Sequence, residues 1–186
     1  MKSNILPALK LTLLFILLFM GLYTVVMLGI AQVAPNNGKG FIVEADGKVY
    51  YENIAQPFTD ESYFWSRPSA VNYNAAGSGG SNKGPSNPDY LAMVEERIDS
   101  FLVHNPEIKK EDIPSELVTA SGSGQDPNLS MQGALVQVPR IAKARSISAE
   151  QVKDLVHQHI EHPWLGLFGT EKLNVLKLNI ALNSLK

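Results

Sequence analysis

The stretch LTLLFILLFMGLYTVVMLGIAQVA, Leu11 to Ala34, holds 24 residues without a charge and lies between Lys10 and Lys39. A helix rises about 1.5 Å per residue, so about 20 apolar residues cross a hydrocarbon core about 30 Å thick. In lipid the backbone must satisfy its own hydrogen bonds, which a lone segment does only as a helix. A cleaved signal sequence is the competing reading, because Gly29-Ile30-Ala31 offers small residues to a peptidase. The apolar core of such a signal is only about 7–15 residues long, however. The expectation is an uncleaved transmembrane helix over 11–34, preceded by a short tail over 1–10 and followed by one domain over 35–186.

Working outward, Lys2 and Lys10 are the only charged side chains before the anchor. Basic residues beside an anchor favour the cytoplasm, which predicts a cytoplasmic tail and an extracytoplasmic domain. Within the anchor, Gly21, Val25 and Gly29 share one face at i, i+4 and i+8, a stripe that admits another helix closely. Lipid-facing glycine is the alternative.

The 152 residues from Pro35 to Lys186 are enough to bury a core. They carry 14 basic and 18 acidic side chains, a balance that argues against nucleic acid as a partner. The chain has no cysteine, which excludes disulfides, thiolate catalysis and cysteine metal sites.

Phe41-Ile42-Val43 and Lys48 to Tyr51 flank Asp46-Gly47, a strong hairpin signal. Residues 71–88 form a long loop of Asn, Gly, Ser and Pro next to the aromatic run Tyr63-Phe64-Trp65, and are expected to be ordered and functional. Asn87-Pro88 predicts a helix start, with Leu91, Val94, Ile98, Phe101 and Leu102 on one face. Glu116 to Ala120 reads as a strand. A helix from Ser130 should kink or split at Pro139. Ser148 and Gln151 form a capping box for a helix over 149–160. Leu173 to Leu185 reads as a short strand leading into a closing helix. The order of elements predicts an α+β domain.

Catalytic chemistry is poorly supported. The glycine loop at Lys83 lacks the hydroxyl residue that a phosphate-binding loop requires after its lysine, since Gly84 stands there. His157 and His159 point about 200° apart on a helix, and His159 with His162 has no third ligand at zinc spacing. Ser121 and Ser123 lie outside a nucleophile elbow. Arg140, Lys143 and Arg145 read as a solvated helix face matched to the dipole, with a docking surface as the alternative. The remaining reading is a binding module, and its candidate interface is Tyr63, Phe64, Trp65 and Arg67 with Asn82 of the adjoining loop, Asp126 and the basic Arg140, Lys143 and Arg145, because aromatics and arginine dominate interfaces. The alternative is that the aromatics fill the core and Arg67 pairs with Asp126.

Many short motifs occur in a characteristic order. They are Tyr63-Phe64, Arg67-Pro68-Ser69-Ala70, Ser78-Gly79-Gly80-Ser81-Asn82, Ser86-Asn87-Pro88 and Glu116 to Ser121. Gly124, Asp126, Ser130, Gln137, Pro139-Arg140, Ala142 to Arg145, Glu150-Gln151, Leu178-Asn179 and Ala181-Leu182 follow. On these the chain resembles the C subunit family of the bacterial Kdp potassium-transporting ATPase, over nearly its whole length. Ser66 departs from the family's usual glycine, Gln125 from an aliphatic residue and Leu129 from isoleucine.

The resemblance implies a non-catalytic subunit of the inner membrane, needed for assembly of an ATP-driven potassium importer. Its partners would be a channel-like subunit, a P-type ATPase subunit and a small single-helix subunit. The family is described as a catalytic chaperone that raises ATP affinity in the ATPase subunit. The complex would use ATP, while no residue here identifies a site for ATP or another cofactor. An anchored hydrolase would need a triad or metal site, and an anchored solute-binding or adhesion module would bind its ligand alone.

Overall fold

The structure is a computed structural model that describes residues 4–185, so Lys2 and part of the expected tail lie outside the described residues. The chain divides into two units, Met1–Ile42 and Val43–Lys186.

The first unit is dominated by α1, Ile5–Val33, which begins six residues before the uncharged run and takes in Lys10. At about 1.5 Å per residue it has the length to cross a bilayer with some tilt. None of its most apolar window is buried within the chain, as expected of a helix whose solvent is lipid. Its middle, Ile16–Tyr23, is π-helical, and Thr24 Oγ1 donates to the Phe19 carbonyl five residues back. Gly21 and Gly29 stand open, with nothing within 4 Å of a Cβ placed on either.

The second unit opens on the hairpin of β1, Ile42–Ala45, and β2, Lys48–Tyr51. Asp46 and Gly47 both take positive φ, 51° and 72°, as a tight turn matched to the strand twist requires. Helix α2, Pro88–His104, starts where Asn87 accepts a hydrogen bond from the Tyr90 amide. Strand β3, Asn128–Leu129, pairs antiparallel with β4, Leu173–Asn174. Between them Pro139 divides the helical run into α3, Met131–Leu135, and α4, Val138–Arg145. Both capping-box bonds of Ser148 and Gln151 are present at α5, Ala149–Gln158. Helix α6, Val175–Leu182, follows β4 directly.

One expected strand is absent. Glu116 to Ala120 forms a 3-10 turn at Ser115–Leu117 that runs on into irregular chain. Thr119 Oγ1 bonds back to the Ser115 carbonyl, and the Glu116 carboxylate accepts from the Ser130 amide and hydroxyl. The local Thr119 bond and the longer-range Glu116 bonds outcompete strand propensity, and Leu117 and Val118 are both buried.

The core joins Phe64, Phe101, Leu129, Ile141, Val152, Val156, Leu173, Leu178 and Leu182. Helices α4, α5 and α6 supply most of its wall, and the aromatic segment is packed into it.

Candidate partner interface

Residues 61–65 have no strand beside them, so their backbone groups need partners from elsewhere. Side chains of two helices, and of the residue just before one of them, supply them. Arg140 Nη1 donates to the Glu61 carbonyl, Arg145 Nε to the Ser62 carbonyl at 2.7 Å, and Arg140 Nη2 to the Tyr63 carbonyl at 3.1 Å. The Phe64 amide donates to Asn179 Oδ1, and Asn179 Nδ2 donates to the Phe64 carbonyl, each at 2.9 Å. The Trp65 amide donates to Gln137 Oε1 at 2.8 Å. The amides of Asn179 and Gln137 thus act as short stretches of neighbouring strand. Both are fully or almost fully buried at 2% and 0% exposure, each between aliphatic neighbours along the chain.

The two arginines also lie on aromatic faces. Arg140 sits 4.3 Å from the centre of the Trp65 ring and Arg145 4.8 Å from that of Tyr63. Arg140 further bonds Asn105 Oδ1 and Gln137 Oε1, and only 6% of its surface is exposed. Burial pushes its pKa down to about 10, which leaves it charged at neutral pH. Arg145 is completed by the Leu182 carbonyl and Asn183 Oδ1. The solvated-face reading of the basic residues of α4 is therefore corrected for Arg140 and Arg145, which face the aromatic segment. Lys143, three residues beyond Arg140 on the same helix, is exposed.

Beyond the arginine clamp, Arg67 Nη1 pairs with Asp126 Oδ2 at 2.7 Å, and Asp126 Oδ1 also accepts from the Asn128 amide. Arg67 Nε is buried without a partner. Phe64 is wholly enclosed, which leaves it no surface for a partner, while Tyr63, Trp65 and Arg67 are half-buried.

The long loop is held against the second glycine-serine turn. The Gly79 amide and the Ser78 hydroxyl both donate to the Ser123 carbonyl, Ser69 Oγ to the Gly124 carbonyl, and the Ser121 amide to the Pro68 carbonyl. Gly124 has φ +68°, and a Cβ there would lie 2.6 Å from Val71 Cγ2 and 2.9 Å from the Gly79 carbonyl oxygen. Asn82, the loop residue singled out by sequence, is exposed with φ +55°. At two of the departures from the family pattern, Ser66 donates to the Gln56 carbonyl and Gln125 to that of Asn74.

An open cavity of about 400 Å³ lies between the end of α2 and α4, lined by Glu61, His104, Asn105, Glu107, Arg140 and Lys143. A second, of about 480 Å³, is bounded by Phe58, Trp65, Tyr73, Met93, Arg97 and Phe101. His159 Nδ1 is within 2.8 Å of the Leu155 carbonyl and His162 Nδ1 within 3.0 Å of Glu171. Among the described residues no cluster of three or more His, Asp or Glu is arranged to hold a metal.

The roles of Gln137, Asn179 and Asn105 escaped sequence reasoning. The usable signal is a polar amide between aliphatic neighbours: Gln137 lies between Val136 and Val138, and Asn179 between Leu178 and Ile180.

A helix of membrane-spanning length followed by a mixed helix-and-sheet domain, its concentrated polar chemistry holding its own backbone, is the build of an anchored accessory protein. Residues 5–184 match the family model KdpC, described as K+-transporting ATPase, c chain. Potassium-transporting ATPase KdpC subunits are similar throughout. That of Flavobacterium psychrophilum is 55% identical over 185 residues, covering 99% of this chain and 100% of its own. That of Bacteroides thetaiotaomicron is 52% identical over 188 residues, with 99% and 100% covered. That of Geobacter metallireducens is 43% identical over 189 residues, with 98% of each covered. The chain belongs to the KdpC family.

Proposed function

We propose that this chain is the non-catalytic accessory subunit of an ATP-driven, high-affinity potassium import complex of the bacterial inner membrane. The observation that carries the reading is the match of residues 5–184 to the c chain of a K+-transporting ATPase. The partners are a channel-like potassium-translocating subunit, a P-type ATPase subunit and a small single-helix subunit. Residues 11–34 span the bilayer, the tail 1–10 is cytoplasmic, and residues 35–186 form the extracytoplasmic domain. The basic residues Lys2 and Lys10 before the apolar run support that orientation.

In this topology the domain cannot touch a cytoplasmic nucleotide site. The ATP-affinity role described for the family is then a coupling free energy between conformations, transmitted through helices, typically about 1–3 kcal/mol. The Gly21, Val25 and Gly29 face is the proposed contact with a neighbouring helix. In the domain, Lys143, Asn82 and the accessible parts of Tyr63, Trp65 and Arg67 form the proposed partner surface. Phe64, Asp126, Arg140 and Arg145 support it from behind.

Affinity-tagged chain, solubilised from potassium-starved cells in mild detergent, is expected to recover the phosphorylating and channel-like subunits in a fixed ratio. Recovery of the chain alone would contradict the reading. In the same cells Ser184→Cys, at an exposed position in a chain with no native cysteine, is expected to react with a membrane-impermeant thiol reagent. Ser3→Cys should resist it. The reverse pattern would invert the orientation.

A further inference from the structure

Between α5 and β4 the chain turns out and back in a short antiparallel loop. Glu161 and Lys172 form a bridge at its base, and Trp164 and Phe168 form a second at its tip. The amides and carbonyls of Trp164 and Phe168 bond each other reciprocally at 3.0 Å, and their rings lie 5.7 Å apart. The tip faces outward: Trp164 is 70% exposed, Leu165 70%, Leu167 79% and Phe168 61%. Four adjacent large apolar side chains left in water call for a second apolar phase. Leu165 also holds φ +54°, a left-handed conformation unfavourable for a branched side chain, and packing within the domain does not compensate for it.

Beneath the tip lies a collar of paired polar side chains. Lys172 meets Glu161 at 3.7 Å, and His162 meets Glu171 at 3.0 Å. No charged residue occurs from Pro163 to Thr170. An apolar end carrying tryptophan, with charges confined to its base, suits the boundary between headgroups and acyl chains. The same chain carries a helix of membrane-spanning length, so the loop is tethered to a bilayer and does not meet one by diffusion alone.

We infer that Trp164, Leu165, Leu167 and Phe168 form a second membrane contact, a wedge that inserts into the lipid interface and holds the domain against the bilayer. It rests on the anchoring of α1 in lipid and is independent of which subunits the domain meets.

Trp65 and Trp164 are the two tryptophans of the chain, and α1 contains none. The full chain is reconstituted in vesicles of phosphatidylcholine and phosphatidylglycerol, with or without bromine on the acyl chains. Brominated lipid is expected to quench roughly half or more of the Trp164 emission, obtained by subtracting the Trp164→Phe spectrum from that of the wild type. The Trp65 emission remaining in Trp164→Phe should change little. Co-flotation with vesicles but no bromine quenching of Trp164 would overturn the inference while leaving the anchor intact. A photoreactive residue at Leu167, activated in membranes of cells that express the complex, is expected to yield lipid adducts. A discrete protein adduct would assign the tip to a partner subunit and overturn it equally.

Discussion

Replacing Arg140 with alanine is expected to destabilise the domain by about 3–5 kcal/mol, the sum of several hydrogen-bond acceptors left short of a donor at roughly 1–3 kcal/mol for each buried one. The substitution strips hydrogen bonds from the Glu61 and Tyr63 carbonyls, from Asn105 and from Gln137, and removes the cation from the Trp65 face. The Asn105 and Gln137 acceptors are buried, so at those two water does not readily replace the guanidinium. In a domain of this size the loss corresponds to a fall in Tm of roughly 10 °C or more. Arg140→Lys should recover little, because one ammonium cannot reach acceptors spread around a planar fork. Thermal unfolding of the full chain in detergent, followed by near-ultraviolet circular dichroism of the aromatic segment, measures both. A Tm within a degree or two of wild type for Arg140→Ala would return the side chain to solvent.

Gly124→Ala is the second large effect. The backbone there is left-handed, which costs a residue with a Cβ about 1–2 kcal/mol. The added carbon would also press on Val71 and on the Gly79 carbonyl, which is backbone and cannot swing aside. Overpacking of this kind adds about 1–3 kcal/mol. The expected total is roughly 2–5 kcal/mol, seen as lowered Tm and as faster amide exchange at Gly79, whose partner is the Ser123 carbonyl. Gly47→Ala, at an open turn with φ +72°, carries only the backbone part and is the control.

These two positions show where sequence reasoning stopped. Asn87-Pro88, Ser148 with Gln151, Asp46-Gly47 and Pro139 each act within a few residues, and the helix starts, the hairpin turn and the helix break stand where those residues place them. Arg140 and Arg145 meet carbonyls 77–83 positions away, so nothing near them in sequence distinguishes a clamp from a solvated helix end. The expected strand at 116–120 failed because the Thr119 hydroxyl bonds back to the Ser115 carbonyl and the Glu116 carboxylate is taken by Ser130. Residues 164–169 are uncharged and mostly apolar in the sequence, yet only the folded chain shows that their large side chains point outward. Arg67 does pair with Asp126, as the structural alternative for that residue held, while the exposed Lys143 and Asn82 remain free to meet a partner.

The most direct test is potassium-stimulated ATP hydrolysis in membranes from a strain whose own copy of this subunit is deleted, with the phosphorylating and channel-like subunits still expressed. Supplying this chain is expected to restore both potassium-stimulated turnover and growth at limiting potassium, while the purified chain alone hydrolyses no ATP. Full activity and growth without the chain, or ATP turnover that stays with the purified chain through every step, would contradict its assignment as a required, non-catalytic subunit.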